Sequence, residues 1–141
     1  MVGITKNGGI AAAYRLASRS FPDRKIEVKG GSAKVLPTPG YEKEVDKNPY
    51  INYTCLRIIN KNSILIANGT HFDQIYDGIN LGIPASHAIT HVLTEMGPEQ
   101  DVYKTPRIAG FASSTRLILG IITEKGLILK SFPAKTGMGY Y

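Results

Sequence analysis

Three arginines, Arg15, Arg19 and Arg24, fall within ten positions, with the hydroxyls of Ser18 and Ser20 among them. A guanidinium is a planar fork of donors that grips phosphate through two parallel hydrogen bonds and keeps its charge near neutrality. Pro22 fixes a backbone angle in the loop that carries the last of the three. One reading is an anion-gripping loop at the mouth of a sheet. The other is a solvated charge cluster at a strand end, and spacing alone favours that second reading. Tyr53 and Cys55 lie two apart in a β-rich run and so share a face. The phenol is either core with its hydroxyl at an edge or a proton donor aimed into a pocket. Cys55 has no neighbouring base or charge in the sequence and is read as a small apolar side chain.

Further along, Asn68-Gly69-Thr70-His71-Phe72-Asp73 follows a strand, at the kind of junction where sites tend to sit. Asn68 can donate and accept at once, as an amide ligand would require. The same peptide also reads as a turn with Thr70 capping a helix and Asp73 in its first turn. His87 and His91 share a helix face, but opposite the apolar stripe and without the glutamate of a zinc-protease helix, so they are expected to face solvent. No other histidine or cysteine spacing supports a metal. Glu99 and Asp101 precede Thr105-Pro106-Arg107 in a loop that could hold an ion pair or a catalytic pair. The chain has no Walker loop, no dinucleotide fingerprint and no aromatic-basic interleaving of an RNA platform.

Composition narrows the classes. At 141 residues, 43% apolar and 20% charged, the chain reads as one globular domain spanning 1–141. A chain of this size buries roughly two-thirds of its unfolded surface, which is enough for a layered core. The net charge of +6 favours anionic ligands without choosing between a nucleotide and a polymer. A single cysteine excludes an internal disulfide and fits a reducing compartment. The apolar runs are too short to span a bilayer and the start lacks a signal-peptide core, so a cytoplasmic location away from membranes is expected.

The elements that must position these residues follow from periodicity. Strands are expected at 2–4, 10–18, 25–29, 33–36, 50–59 and 63–67, with hairpin turns at Lys6-Asn7-Gly8-Gly9, Gly30-Gly31-Ser32 and Asn60-Lys61-Asn62. In the run 50–59, alternation puts Ile51, Tyr53, Cys55 and Arg57 on one face. Residues 37–49 read as a loop with one helical turn near 41–45. A weaker helix is expected over 73–80 and a clear one over 84–96, where Ala85, Ala88, Ile89, Val92, Leu93 and Met96 form an apolar stripe. Three strands close the pattern at 107–113, 116–123 and 127–132. Short hairpin links argue for antiparallel sheets with a helix layer on at least one face, an α+β fold.

Four peptides occur together in one order. They are Ala13-Tyr14-Arg15 with Ser18 to Arg24, Asn48 to Cys55 with Arg57-Ile58, Asn68 to Asp73, and Thr105-Pro106-Arg107-Ile108-Ala109. In this the chain resembles the archaeal inosine monophosphate cyclohydrolases. The resemblance implies an αββα fold like that of the N-terminal-nucleophile hydrolases, antiparallel sheets sandwiched by helices, here without the terminal nucleophile. It implies ring closure of 5-formamidoimidazole-4-carboxamide ribonucleotide to inosine monophosphate (IMP) with loss of water, no metal or organic cofactor, and a homo-oligomer, a tetramer by likeness. It places Tyr53 as donor to the developing oxyanion, Arg24 beside charge on the ring substituents, and Glu99 on the amide side. Arg15, Arg19 and Ser20 would hold the phosphate end, and Asn68 and Arg107 the base. Against that family the chain is expected to be shortened at both ends and to lack part of the C-terminal region. A nucleotide-binding or regulatory protein on the same scaffold is the alternative. An RNA-binding module is a more distant one.

Overall fold

The structure, a computed structural model, describes residues 1–17, 21–43, 45 and 51–141. Along the chain these form β1 (Val2–Ile4), β2 (Ile10–Ala12), β3 (Arg24–Lys29), β4 (Ser32–Pro37), β5 (Tyr53–Asn60) and β6 (Ser63–Ala67). Helices α1 (His71–Asn80) and α2 (Ala85–Met96) follow, then β7 (Arg107–Ser113), β8 (Arg116–Thr123), β9 (Gly126–Pro133) and β10 (Gly139–Tyr140). Strands β3 to β9 make one antiparallel sheet in chain order, and β10-β1-β2 make a second, three-stranded sheet. The helix pair is inserted between β6 and β7, which nevertheless pair directly.

Alternation divides the large sheet into two buried faces. Leu65, Ala67, Ala109, Ile118 and Ile122 point to one side, where they meet Phe72 and Ile75 of α1 and Ala88, Ile89, Val92 and Leu93 of α2. Each helix presents residues spaced by three and four, so a single stripe is apolar. Gly120 lets α2 come close: a Cβ there would stand 2.7 Å from Ile89 Cγ2 and 3.0 Å from Leu93 Cδ1. Ile64, Ile66, Ala112 and Leu117 point to the other side and pack on Val2 and Ile4 of the small sheet. With both faces covered, all five residues of β6 are buried. The layers are thus helix, large sheet, small sheet. Among the described residues no helix is long and apolar enough to cross a membrane.

The α+β class and its antiparallel sheets agree with the sequence. Two expectations need correction. The strand expected over 10–18 ends at Ala12, where the ladder with the three-residue β1 gives out after Val2↔Ala12, although Ala13 still exchanges two backbone hydrogen bonds of 3.0 Å with Met1. The chain then continues as an unpaired cover in which Tyr14 and Leu16 pack down on Ala33, Val35, Tyr53 and Cys55. In β5 the expected alternation breaks. Its register against β4 runs Ala33↔Leu56 and then Lys34↔Thr54, so Cys55 is an extra residue, a β-bulge. Beyond it Arg57 faces the helices, with its guanidinium 4.4 Å from the Tyr76 ring centroid, while Tyr53 stays on the opposite face under Tyr14. The expected start of that strand at Tyr50 lies outside the described residues.

Candidate active site

On the face of the large sheet away from the helices, a cavity of about 460 Å³ opens beside the small sheet. Its floor is made by Ile66, Ile108, Gly110 and Leu119. Gly110 keeps that floor low, since a Cβ there would meet Ile66, Leu119 and Val2 at 3.0 to 3.2 Å. The cover segment contributes Tyr14, Arg15 and Leu16, the start of β3 contributes Arg24, and β5 contributes Tyr53. The loop before β7 supplies Glu99, Asp101 and Thr105, and Asn68 comes from the end of β6. Five of the sequence-derived candidates, Arg15, Arg24, Tyr53, Asn68 and Glu99, therefore line one space. Arg19 and Ser20 lie outside the described residues.

At one wall the Tyr14 and Tyr53 hydroxyls are 2.8 Å apart. Burial raises the Tyr53 phenol, while the hydrogen bond to Tyr14 and the charge of Arg24 pull it back. Arg24 Nε donates to the Phe21 carbonyl at 3.0 Å and its guanidinium lies over the Phe21 ring. The side chain is thereby held on a short turn rather than left to sweep through solvent.

The opposite wall is anionic. Glu99 is buried, and burial pushes its carboxyl up from the usual range, with Arg107 opposing. Arg107 stands behind it, 3.7 Å from Glu99 Oε1 to its NH1, an ion pair longer than a hydrogen bond. Arg107 is buried and does not line the cavity, so it touches the site through Glu99. Asp101 holds the loop: its carboxylate accepts from Thr105 N at 2.8 Å and Thr105 Oγ1 at 2.6 Å. Asn68 spends its amide on backbone, donating to the Pro106 carbonyl at 2.8 Å and accepting from Ile108 N at 2.6 Å. It fastens β6 to the entry of β7, which leaves its second lone pair and second N–H for a ligand.

His71 completes this wall from behind. Its Nε2 lies 3.0 Å from the Ile108 carbonyl, an acceptor, so Nε2 carries the hydrogen. Burial depresses the imidazole to about 4, and nearby Arg107 adds to the effect. A Cβ on Gly69 would fall 3.0 Å from Glu99 Oε1, 3.2 Å from His71 Nδ1 and 3.4 Å from Arg107 NH1. Only a residue without a side chain lets these three groups converge.

Sequence reasoning missed Tyr14 and His71 as parts of the site. Tyr14 carried a signal in its alternation with Leu16, while His71 carried none beyond its place in a polar junction. Thr70 stands at the N-cap of α1 and Asp73 in its first turn, as the turn-and-cap reading of that junction expects, although Thr70 makes no side-chain capping bond. His87 and His91 are exposed, and Cys55 is buried, with burial raising its thiol to about 11.

The model of a family described as IMP cyclohydrolase-like protein matches residues 1–141. The chain belongs to that family. It is 40% identical over 141 residues to a protein of Methanocaldococcus jannaschii named IMP cyclohydrolase, covering 100% of this chain and 68% of that protein. A Methanopyrus kandleri protein of the same name is 36% identical over 141 residues, covering 99% and 69%. One from Methanocella arvoryzae, also so named, is 41% identical over 127 residues, covering 90% and 62%. The chain thus spans about two-thirds of the length of these IMP cyclohydrolases, and the cavity residues come from both ends of the matched span.

Proposed function

We propose that the protein is an IMP cyclohydrolase, closing the ring of 5-formamidoimidazole-4-carboxamide ribonucleotide to IMP. The observation that carries the reading is the meeting of Tyr53, Arg24 and Glu99 in one cavity of a chain whose relatives bear that name. The carboxamide nitrogen and the formyl carbon belong to one molecule, so proximity is largely built in and the protein selects a rotamer. As nitrogen attacks, negative charge grows on the formyl oxygen. Tyr53 donates to it and Arg24 supplies a fixed positive field. Glu99 takes the proton that the carboxamide nitrogen gives up. The hydroxyl then leaves as water with the proton held by Glu99, and the formamide nitrogen gives its own proton back to Tyr53, which resets both groups. This sequence balances without a metal or organic cofactor.

Arg15, at the cavity lip, together with Arg19 and Ser20, holds the phosphate in this proposal, and Asn68 binds the base. Arg107 acts on the base side only through Glu99. The family likeness further supports an αββα arrangement of N-terminal-nucleophile-hydrolase type, a homo-oligomer such as a tetramer, and a cytoplasmic location.

The test is conversion of the formylated ribonucleotide followed spectrophotometrically. Tyr53→Phe is expected to lower kcat by roughly 10²-fold or more, with KM little changed, as loss of a general acid does. Full turnover by the variant would remove Tyr53 from the chemistry. Binding of IMP by the unaltered protein without any turnover would favour the binding-protein alternative.

A further inference from the structure

Tyr103 lines the same cavity as Tyr53 and Glu99, yet it is 78% exposed, and Val102 beside it is 95% exposed. A ring so placed contributes little burial to folding. Among the described residues it makes no aromatic or cation–π contact, and its hydroxyl makes no hydrogen bond. The loop that carries it is nonetheless tied down. Glu99 N donates to the Thr105 carbonyl at 2.9 Å and closes the loop at its base. Inside it, Lys104 N donates to the Asp101 carbonyl at 3.1 Å and Lys104 Nζ to Gln100 Oε1 at 3.2 Å. These add to the two bonds between Thr105 and the Asp101 carboxylate. Lys104 stands at φ 49°, a left-handed conformation that residues other than glycine take rarely. The backbone on both sides of Tyr103 is thus fixed, while the ring is left open.

We propose that Tyr103 is the binding residue that covers the heterocycle of the nucleotide, stacking on one face of the base while the other face rests on Ile108 and Gly110. A purine is flat, apolar on its faces and polar along its edge, so its site needs contact surface above and below and hydrogen-bonding groups around it. The edge is met by Glu99 and by the N–H and lone pair that Asn68 has left. The surface below is met by β7. Ile108 and Gly110 alternate with the buried Ala109 and so face the cavity together. Ile108 is 43% exposed although it lines that cavity, so it offers apolar surface there, and Gly110 keeps the floor beside it low. Tyr103 supplies the surface above. It arrives on the loop of Glu99 and Asp101, whereas Arg15 and Arg24 come from the cover segment and β3. It therefore stands with the groups on the base side, away from those assigned to the phosphate.

This inference rests on the reading of the cavity as a nucleotide site, and its test separates the two. Calorimetric titration measures binding of IMP, and of ribose 5-phosphate, which lacks the base, to the unaltered protein, Tyr103→Ala and Tyr103→Phe. Tyr103→Ala is expected to weaken IMP about tenfold, as loss of a base–aromatic stack does, and to leave ribose 5-phosphate unchanged. Tyr103→Phe keeps the ring and is expected to bind IMP as the unaltered protein does. In turnover, Tyr103→Ala should raise KM by a similar factor with kcat little changed. In NMR spectra the Tyr103 ring protons, assigned with Tyr103→Phe, should shift when IMP is added and stay in place with ribose 5-phosphate. IMP binding unmoved by Tyr103→Ala, an equal loss for both ligands, or ring signals that ignore IMP would overturn the proposal. The side chain is exposed, so thermal melts of both variants should match that of the unaltered protein. If Tyr103→Ala melts early, Tyr103→Phe and the ring signals of the unaltered protein decide. An unaltered protein that binds no IMP would instead sink the nucleotide reading itself.

Discussion

At the scale of single residues, the site is a matter of where protons sit. Glu99 must be ionised to accept a proton, and burial makes ionisation harder. The acid limb of kcat/KM is therefore expected above the ordinary glutamate value, not at it. Arg107 holds the carboxyl down, so Arg107→Gln should move the limb to still higher pH. Glu99→Gln should abolish the limb along with most of the rate. A pH–rate profile checks all three. A limb at or below the ordinary value in the unaltered protein would mean that Glu99 is not the titrating base.

At the scale of elements, the helix layer is held close by what is missing from β8. Adding a methyl at Gly120 forces α2 outward or strains its Ile89 and Leu93 contacts. Gly120→Ala should destabilise by about 1–3 kcal/mol, as overpacking of a tight core does, measurable by urea denaturation. A neutral substitution would show that the helices give way freely.

The same scale shows what the sequence could and could not tell. Hairpins at Gly30-Gly31-Ser32 and Asn60-Lys61-Asn62 were legible because turn residues interrupt alternating runs, and α2 because its stripe is unbroken. The end of β2 was not legible, since it falls where the ladder with β1, a partner elsewhere in the sequence, gives out. Nor was the Cys55 bulge, which exists only in the pairing of β5 with β4 and sends Arg57 to the helix side. Tyr53, Arg24 and Glu99 were chemically plausible as residue types, but their meeting depends on three separate elements. Family resemblance supplied their roles. His71 could not be seen as part of the site, because its burial is made by the β7 backbone that it bonds.

For the whole molecule, that burial has a consequence for acid stability. His71 binds a proton at about 4 when folded, against an ordinary value of 6.5. Between these limits the unfolded chain holds the extra proton, so stability rises with pH there and is lost as pH falls from 6.5 toward 4. The loss from this one group amounts to about 3 kcal/mol at most. Urea denaturation at several pH values should show it, and His71→Gln should flatten the dependence. An unchanged slope in that variant would place the acid sensitivity elsewhere.

The fold brings the cover segment, β3, β5 and the loop before β7 around one space, and the account rests on a nucleotide filling it. A crystal structure of the protein with bound IMP tests this most directly. The account predicts the phosphate against the arginine-bearing lip near Arg15, and the purine within hydrogen-bonding distance of Tyr53 and Glu99. IMP bound at another surface, with this cavity empty, would contradict it.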